Sequence, residues 1–452
     1  MIIRNIDEFS ERGSIKGRRL VLDVADQTLT QMNYKSIIGK LVTLKKGILN
    51  VKDLDFDLRK FHNIYLVGAG KNVAFMTHGL EEILGERIRE GIAIEKKGSR
   101  AEAATIPIVK AGHPIPDEDS VKGANEIIRI ARQAHRDDLL IVCVSGGWTS
   151  LVGAPPEEIS LEEFREVYDL LLRSGMPLEE MNIIRNHLSR LGEGKIPIVA
   201  KDTTILGLIA VDEIGGRPWG PTVPGNTYFS DALRVLTQWN LISAIPAKVR
   251  EYIEAAKLHE ETTNFRANKS DNSRVHNVVI ADNVSMCEMA CQNAARTGIN
   301  SQILTTTLQG ESKHVGTVIA SICNEVSQYH RPFRPPCILI AGGETTVTLT
   351  GKVGKGGRNQ EMALSAALSL NEGKETVILA MGTDGTDGPT DIAGAIVDNT
   401  TVKRALDTGI DITEELKSHN SSHVFSKIND AVYTYDTGTN LMDIIIMYIP
   451  DK

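Results

Sequence analysis

Asn63-Ile-Tyr-Leu-Val-Gly-Ala-Gly-Lys71 is the stretch that decides the fold class. A short apolar run of strand type is closed by two glycines, and Lys71 to Leu84 then takes up helical apolar spacing. The same strand, glycine turn and helix pattern recurs at Leu139-Leu-Ile-Val-Cys-Val144 before Ser145-Gly-Gly147, and the strand-like run returns at Thr204-Ile-Leu-Gly-Leu-Ile-Ala-Val211. His276-Asn-Val-Val-Ile-Ala281 precedes a helical stretch through Ala295. Cys337-Ile-Leu-Ile-Ala341 runs into Gly342-Gly343, and Glu375-Thr-Val-Ile-Leu-Ala380 ends before Gly382. Apolar strands alternating with helices predict α/β architecture with largely parallel sheets, in which ligands bind at the carboxyl ends of strands.

Around this core the composition is that of an ordinary globular chain. Its 452 residues suggest two or three domains at roughly 150 residues each. Lys and Arg number 50 against 58 Asp and Glu, a net charge of −8, which argues against a nucleic-acid partner. No apolar run approaches the ~20 residues that span a bilayer, and acidic residues stand near Met1 where a signal peptide would be apolar, so no membrane association and a cytoplasmic location are expected. Five cysteines, an odd number in so long a chain, predict free thiols. Residues 11–50 carry helix-like spacing (Leu20, Val24, Leu29) and read as packing helices. Between Pro246 and Asn272 the pattern lapses into a polar, charge-dense stretch. The expected organisation is therefore an N-terminal α/β domain at 1–245, a linker at 246–274 and a C-terminal α/β domain at 275–452, with packing of the helices of residues 1–50 on the other domain left open.

Six constellations could carry chemistry. Gly68-Ala-Gly70-Lys71 joins a buried strand to a helix, so helix amides could face an anion; the other reading is a tight turn with a surface lysine. It matches neither a phosphate-binding loop, which would need Ser or Thr at Asn72, nor a dinucleotide fingerprint, which would want Gly at Val73. Ser145-Gly146-Gly147-Trp148-Thr149-Ser150 offers hydroxyls and open amides for an anion or hydroxyacid, or else a glycine turn under Trp148. Asn182-Ile-Ile-Arg185-Asn-His187-Leu-Ser189-Arg190, ahead of Gly192-Glu-Gly194-Lys195, concentrates cations that a solvated helix face would explain equally well. Val211-Asp212-Glu213 puts carboxylates at a strand end, where a nucleotide's Mg²⁺ could be held. The densest group is Gly342-Gly-Glu344-Thr345-Thr346 followed by Gly351-Lys-Val-Gly-Lys-Gly-Gly357-Arg358-Asn359-Gln-Glu361, in which Arg358 suits bidentate contact with a phosphoryl group. Last, Gly382-Thr-Asp384-Gly-Thr-Asp387-Gly-Pro-Thr-Asp391 brings carboxylates to another strand end, but the twelfth position from Asp384 is Ala395, so a calcium loop fails. His259-Glu-Glu-Thr-Thr lacks a zinc protease's second histidine, Cys287 and Cys291 read as buried thiols, and His113 reads as structural.

Taken together, Gly342-Gly-Glu-Thr-Thr, Gly356-Gly-Arg-Asn-Gln-Glu361, Gly382-Thr-Asp-Gly-Thr-Asp-Gly-Pro-Thr-Asp391 and Thr437-Gly-Thr-Asn440 resemble the MOFRL-type glycerate kinases. The first half agrees through Gly68-Ala-Gly-Lys71, Gly112-His-Pro114, Ser145-Gly-Gly147, His187-Leu-Ser189 and Gly220-Pro-Thr222, so the resemblance spans nearly the whole chain. It implies two α/β domains with largely parallel, Rossmann-like sheets flanking an active-site cleft. It also implies ATP-dependent phosphorylation of D-glycerate with Mg²⁺ or another divalent cation, giving 2-phosphoglycerate in Entner–Doudoroff-type sugar breakdown. Lys71 and Arg358 occupy the family's active-site lysine and arginine positions. The expected site adds Asp212 or Asp384 as base, and Asp212, Asp384 and Asp387 as Mg²⁺ ligands. Gly68, Gly70, Ser145, Gly146, Gly147, Asn182, Arg185, Glu344, Thr345, Thr346, Gly357 and Asn359 are expected around the substrates. A homodimer is left open.

The departures cluster in the first half: Trp148 and Trp219 replace small residues, Asn186 replaces Lys, and Gly192-Glu-Gly194 replaces Lys-Gly-Gly. They bear on acceptor identity and regiochemistry. A glycerate 3-kinase, a hydroxypyruvate reductase and a non-catalytic nucleotide or sugar-acid sensor are the competing readings, and Val73, standing where a nicotinamide site would want glycine, speaks against the reductase.

Overall fold

The computed structural model describes residues 1–11, 13–101, 104–257, 272–349, 351, 353–373 and 375–451. They fall into two compact units: the first is Tyr34–Val211 with Pro218–Ile280, and the second is Met1–Asn33, Asp212–Arg217 and Ala281–Lys452. Among the described residues no helix is long and apolar enough to cross a membrane, and all five cysteines are free.

The first unit begins with a helix, Tyr34–Leu41, and a small antiparallel sheet of β1 (Val42–Lys45), β2 (Ile48–Val51) and β3 (Leu54–Asp57). This corrects the expectation of helices as far as residue 50. Leu49 and Val51 are buried while Ile48 and Asn50 are half-buried, a period of two, and Lys46-Gly47 turns the hairpin with positive φ at both residues (50° and 80°).

The main sheet of this unit holds β4 (Ile64–Ala69), β5 (Ile88–Lys96), β6 (Ile108–Ala111), β7 (Leu139–Val144), β8 (Thr204–Ala210) and β9 (Val275–Ala281), in the spatial order β6-β5-β4-β7-β8-β9. The β6-β5-β4-β7-β8 pairings are parallel, and β4 and β7 are buried along their whole length, as sheets covered on both faces require. From β4 the chain works outward through β5 and β6, then crosses back to β7 on the other side of β4. The order thus reverses between β4 and β7, and ligands of such sheets bind at the carboxyl ends beside that point.

Strand β9, expected to open the C-terminal domain, is instead an edge strand of this sheet. Asn277 within it donates to the Thr222 carbonyl (3.0 Å) and accepts from the Thr222 hydroxyl (2.6 Å), which fastens it here, and the boundary falls after Ile280. Of the expected linker, Ala247–Lys257 is a helix with Val249 and Ile253 fully buried. The rest of the polar stretch, 258–271 with His259, lies outside the described residues, as does Lys352.

The second unit's sheet holds β10 (Asn300–Leu308), β11 (Cys337–Gly343), β12 (Val377–Gly382), β13 (Gly394–Asp398), β14 (Ala431–Val432) and β15 (Asp443–Ile449), ordered β10-β11-β15-β12-β13-β14. Here the largely parallel expectation does not hold. β10 and β11 are parallel, whereas β15 runs antiparallel between β11 and β12, and β13 and β14 continue antiparallel. For β12 and β13 the connection is the reason: 383–393 carries no helix, and a helix-free loop joins antiparallel neighbours where a parallel pair needs a crossover.

The N-terminal helix Ile15–Gln31 belongs to this unit through a buried ion network. Arg18 Nε donates to Asp398 Oδ2 (2.6 Å), and its Nη1 and Nη2 donate to the two oxygens of Asp430 (2.7 and 3.1 Å). Arg404 completes the network from the rim, bonding both oxygens of Asp430 (2.9 and 2.5 Å).

Candidate active site

The two glycine turns of the first unit meet at the switch point. Lys71 N–H donates to the Gly146 carbonyl (2.8 Å), and the buried Ser145 hydroxyl donates to the Lys71 carbonyl (2.7 Å). Gly70 (φ +132°) has no alternative: a Cβ there would lie 2.2 Å from Ser145 Oγ and 2.4 Å from Ser145 O. Gly147 (φ +91°) takes up a left-handed backbone that favours glycine, and a Cβ there would come within 3.0 Å of the His113 ring. Lys71 itself is half-buried.

The amides expected to face a ligand anion are already engaged. Gly70 N–H donates to Ile94 O, Val73 N–H to Gly70 O, and the amides of Asn72 and Ala74 donate to the carboxylate of Glu95 (3.2 and 2.8 Å). The anion at the start of helix Val73–Leu84 is therefore the chain's own Glu95, fully buried at the end of β5. Burial pushes its carboxyl up to about 7, against the amide hydrogen bonds that favour the charged form. Gly68 and Gly70 consequently serve close strand packing, and Lys71 is left as the chemical group of this turn.

Asn182 and Arg185 lie on helix Leu178–His187, which packs against the short helix Trp148–Leu151 that follows Gly147. Arg185 is not on a solvated face; it is 3% exposed, its guanidinium stacked 4.6 Å over the Tyr168 ring. Trp148 is buried too, with Nε1 donating to Leu191 O (3.0 Å). Lys195 clamps the loop beyond the helix by donating to the carbonyls of Asn186 (2.9 Å) and Ser189 (2.6 Å), and burial lowers its ammonium to about 8. His187, Lys195, Tyr228 and Phe229 line a cavity of about 210 Å³ beside it.

In the second unit Arg358 opens helix Arg358–Ser369 and is one-third exposed. Its Nε and Nη2 grip Asp443 (2.6 and 2.9 Å) and its Nη1 pairs with Glu344 (2.5 Å). Burial works against the charge, but Asp443 and Glu344 outweigh it and hold the guanidinium firmly protonated. Register explains the gathering: Asp443 starts β15 directly between Gly343 of β11 and Gly382 of β12, while Glu344 and Asp384 follow those two strand ends. Asp384 Oδ1 accepts from the Thr386 amide and hydroxyl (3.0 Å each), and Asp212 Oδ2 accepts from Asn440 Nδ2 (3.2 Å).

Several expected contacts prove to be internal. Asp387 is buried and caps helix Arg358–Ser369, with Oδ1 taking the Asn359 amide and Nδ2, and Oδ2 the Gln360 amide and Nε2 (2.9–3.2 Å). Burial and the neighbouring Asp443 raise its carboxyl to about 6. Asn359 is fully buried in the same knot. The Gly357 Cβ position lies 2.2 Å from Asp387, and that of Gly388 lies 2.3 Å from Gly356 O, so these two motifs are glycine-rich where they press on each other. The Thr345 hydroxyl bonds Ser312 Oγ (2.8 Å), and Thr346 O accepts the Ser312 amide (2.8 Å), tying both threonines to the start of helix Ser312–Tyr329.

The expected Mg²⁺ triad does not fit. Asp387 has both oxygens saturated, and among the described residues no cluster of three or more His, Cys, Asp or Glu side chains is placed to hold a metal. Sequence reasoning also missed Asp443, Glu95 and the placement of His113. Asp443 had a legible signal, a carboxylate at the head of the apolar run Ile444-Ile-Ile-Met447; Glu95 and His113 had none, since burial and packing decide both.

A family model described as a domain of unknown function (DUF4147) matches residues 20–254, and the MOFRL family model matches residues 337–443. The chain belongs to the MOFRL-type glycerate kinase family. It is 40% identical over 423 residues to a glycerate 2-kinase of Pyrococcus horikoshii, covering 93% of this chain and 94% of that one. It is 37% identical over 389 residues to a D-glycerate 2-kinase of Thermotoga maritima, covering 85% and 90%. A solved structure of a Thermotoga maritima glycerate kinase matches with a TM-score of 0.79 at 33% identity, over 95% of this chain and 99% of that one.

Proposed function

We propose that this chain transfers the γ-phosphoryl group of ATP to the 2-hydroxyl of D-glycerate, giving 2-phosphoglycerate and ADP. The observation that carries the reading is the near-full-length likeness to a glycerate 2-kinase, with Lys71 in the glycine turn after β4 and Arg358 at the start of helix Arg358–Ser369. In the reaction the glycerate hydroxyl oxygen bonds to the γ-phosphorus, the bond to the β–γ bridging oxygen breaks, and the hydroxyl proton passes to a carboxylate, Asp212 or Asp384. Lys71 is the cation that the first unit brings to the substrates' charge, and Arg358 offsets charge on the moving group. Arg358 is suited to this because Asp443 and Glu344 already fix its orientation, and phosphoryl transfer gains chiefly from positioned charge. Mg²⁺ belongs to this reading as the nucleotide's counter-ion, not as an ion resident on the aspartates.

Incubation of the purified protein with ATP, Mg²⁺ and D-glycerate, coupled to enolase, tests the proposal, because enolase consumes the 2-phosphate and not the 3-phosphate. Phosphoenolpyruvate is expected to form as fast as ADP. ADP without an enolase substrate would move the reading to a 3-kinase, and no ADP from any small hydroxyacid would end it.

A further inference from the structure

Among the described residues of the first unit, Arg185 is a buried cation whose surroundings ask for something more. Its Nε and Nη2 are buried with no hydrogen-bond partner, and it forms no ion pair among the described residues. Burial depresses its pKa, and the charges around it do not compensate. A buried cation normally has its N–H groups paired, since leaving them unmet costs more than a stacked ring returns. The ring beneath it is fixed: Tyr168 Oη donates to the Thr149 carbonyl (2.7 Å), two residues beyond Gly147. One face of the guanidinium is thus closed by Tyr168, which leaves approach in the plane of the fork.

We infer that Arg185 receives the carboxylate of the acceptor substrate and makes the site selective for hydroxycarboxylates over uncharged polyols. The inference rests on the glycerate kinase reading and names the place of the acceptor's charge within it. A carboxylate is flat, small and matched to the guanidinium fork, whereas a nucleotide phosphate is tetrahedral and too bulky for a group only 3% exposed. The position agrees, because helix Leu178–His187 packs on the helix that leaves β7 at the switch point. Asn182 lies one turn earlier on the same helical face.

The test compares D-glycerate with its neutral amide, D-glyceramide, as acceptors for the wild type, Arg185→Met and Arg185→Lys. Wild type should prefer glycerate. Arg185→Met should raise the glycerate KM by about 30-fold, with the ATP KM unchanged and the acceptor preference abolished. Arg185→Lys, the fallback should the Met variant fail to fold, should keep part of the preference. Unchanged preference in the folded variants would overturn the inference and leave Arg185 a structural cation met by water. If wild type phosphorylates neither acceptor, the kinase reading fails, and calorimetry of D-glycerate binding then decides separately. Binding lost in Arg185→Met supports the inference, and binding equal in both, or absent from wild type, overturns it.

Discussion

At the scale of single residues Arg358 of the second unit is held by two carboxylates at once. Arg358 serves both the fold and the proposed chemistry, because Asp443 beneath it is 1% exposed and has it as a bidentate partner. Arg358→Ala should therefore lose stability as well as turnover, since it strands a buried carboxylate. Arg358→Lys keeps a charge on Asp443 but loses the fork. It should remain folded by circular dichroism while kcat falls on the order of 10³-fold. Equal turnover in the lysine variant would show that the guanidinium positions nothing. The sequence showed Arg358 and Lys71 as chemistry-bearing groups. It did not show that Asn359, next to Arg358, and Asp387, in the following glycine-rich motif, point inward, because a polar residue in a turn reads alike whether it binds a substrate or caps a helix.

At the scale of elements two buried charges govern how helices are held. Glu95 fills the N-terminus of helix Val73–Leu84, and its carboxyl is raised from 4.5 to about 7. The folded state therefore binds that proton more tightly than the unfolded chain does. Its contribution to stability is full below about pH 4.5 and is lost as pH rises through 7. Urea unfolding of Glu95→Gln across this range should show a flatter decline than wild type; parallel declines would assign the pH dependence elsewhere. In the second unit Arg18 joins helix Ile15–Gln31 to Asp398 and Asp430, both fully buried. Arg18→Met should cost about 3–5 kcal/mol in denaturant unfolding, because Asp398 loses its nearest cation. The strands and helices of the first sheet were legible from apolar runs ending in glycine. Strand direction in the second sheet was not, since β15 is buried on both faces and a continuous apolar run carries no mark of its direction.

At the scale of the whole molecule the two units are not continuous in sequence. The second unit is assembled from Met1–Asn33, Asp212–Arg217 and Ala281–Lys452, and the first unit from the rest. A fragment of residues 281–452 made alone should fail to fold cooperatively, because it retains Asp398 and Asp430 without Arg18 and lacks the helix that carries it. A sharp two-state transition in that fragment would contradict this. Composition and motif order revealed two α/β domains and a glycerate kinase family resemblance. Long-range exchange of segments was invisible, since nothing local in residues 1–33 names the sheet against which they pack.

The most direct measurement is single-turnover phosphoryl transfer from ATP to D-glycerate in wild type and Lys71→Met, with both substrates saturating and products resolved by phosphorus NMR. Wild type should convert D-glycerate to its 2-phosphate, and Lys71→Met should do so on the order of 10³-fold more slowly with its fold intact. Undiminished transfer in the folded variant, or no phosphorylated glycerate from wild type, would contradict the assignment of this chain's chemistry.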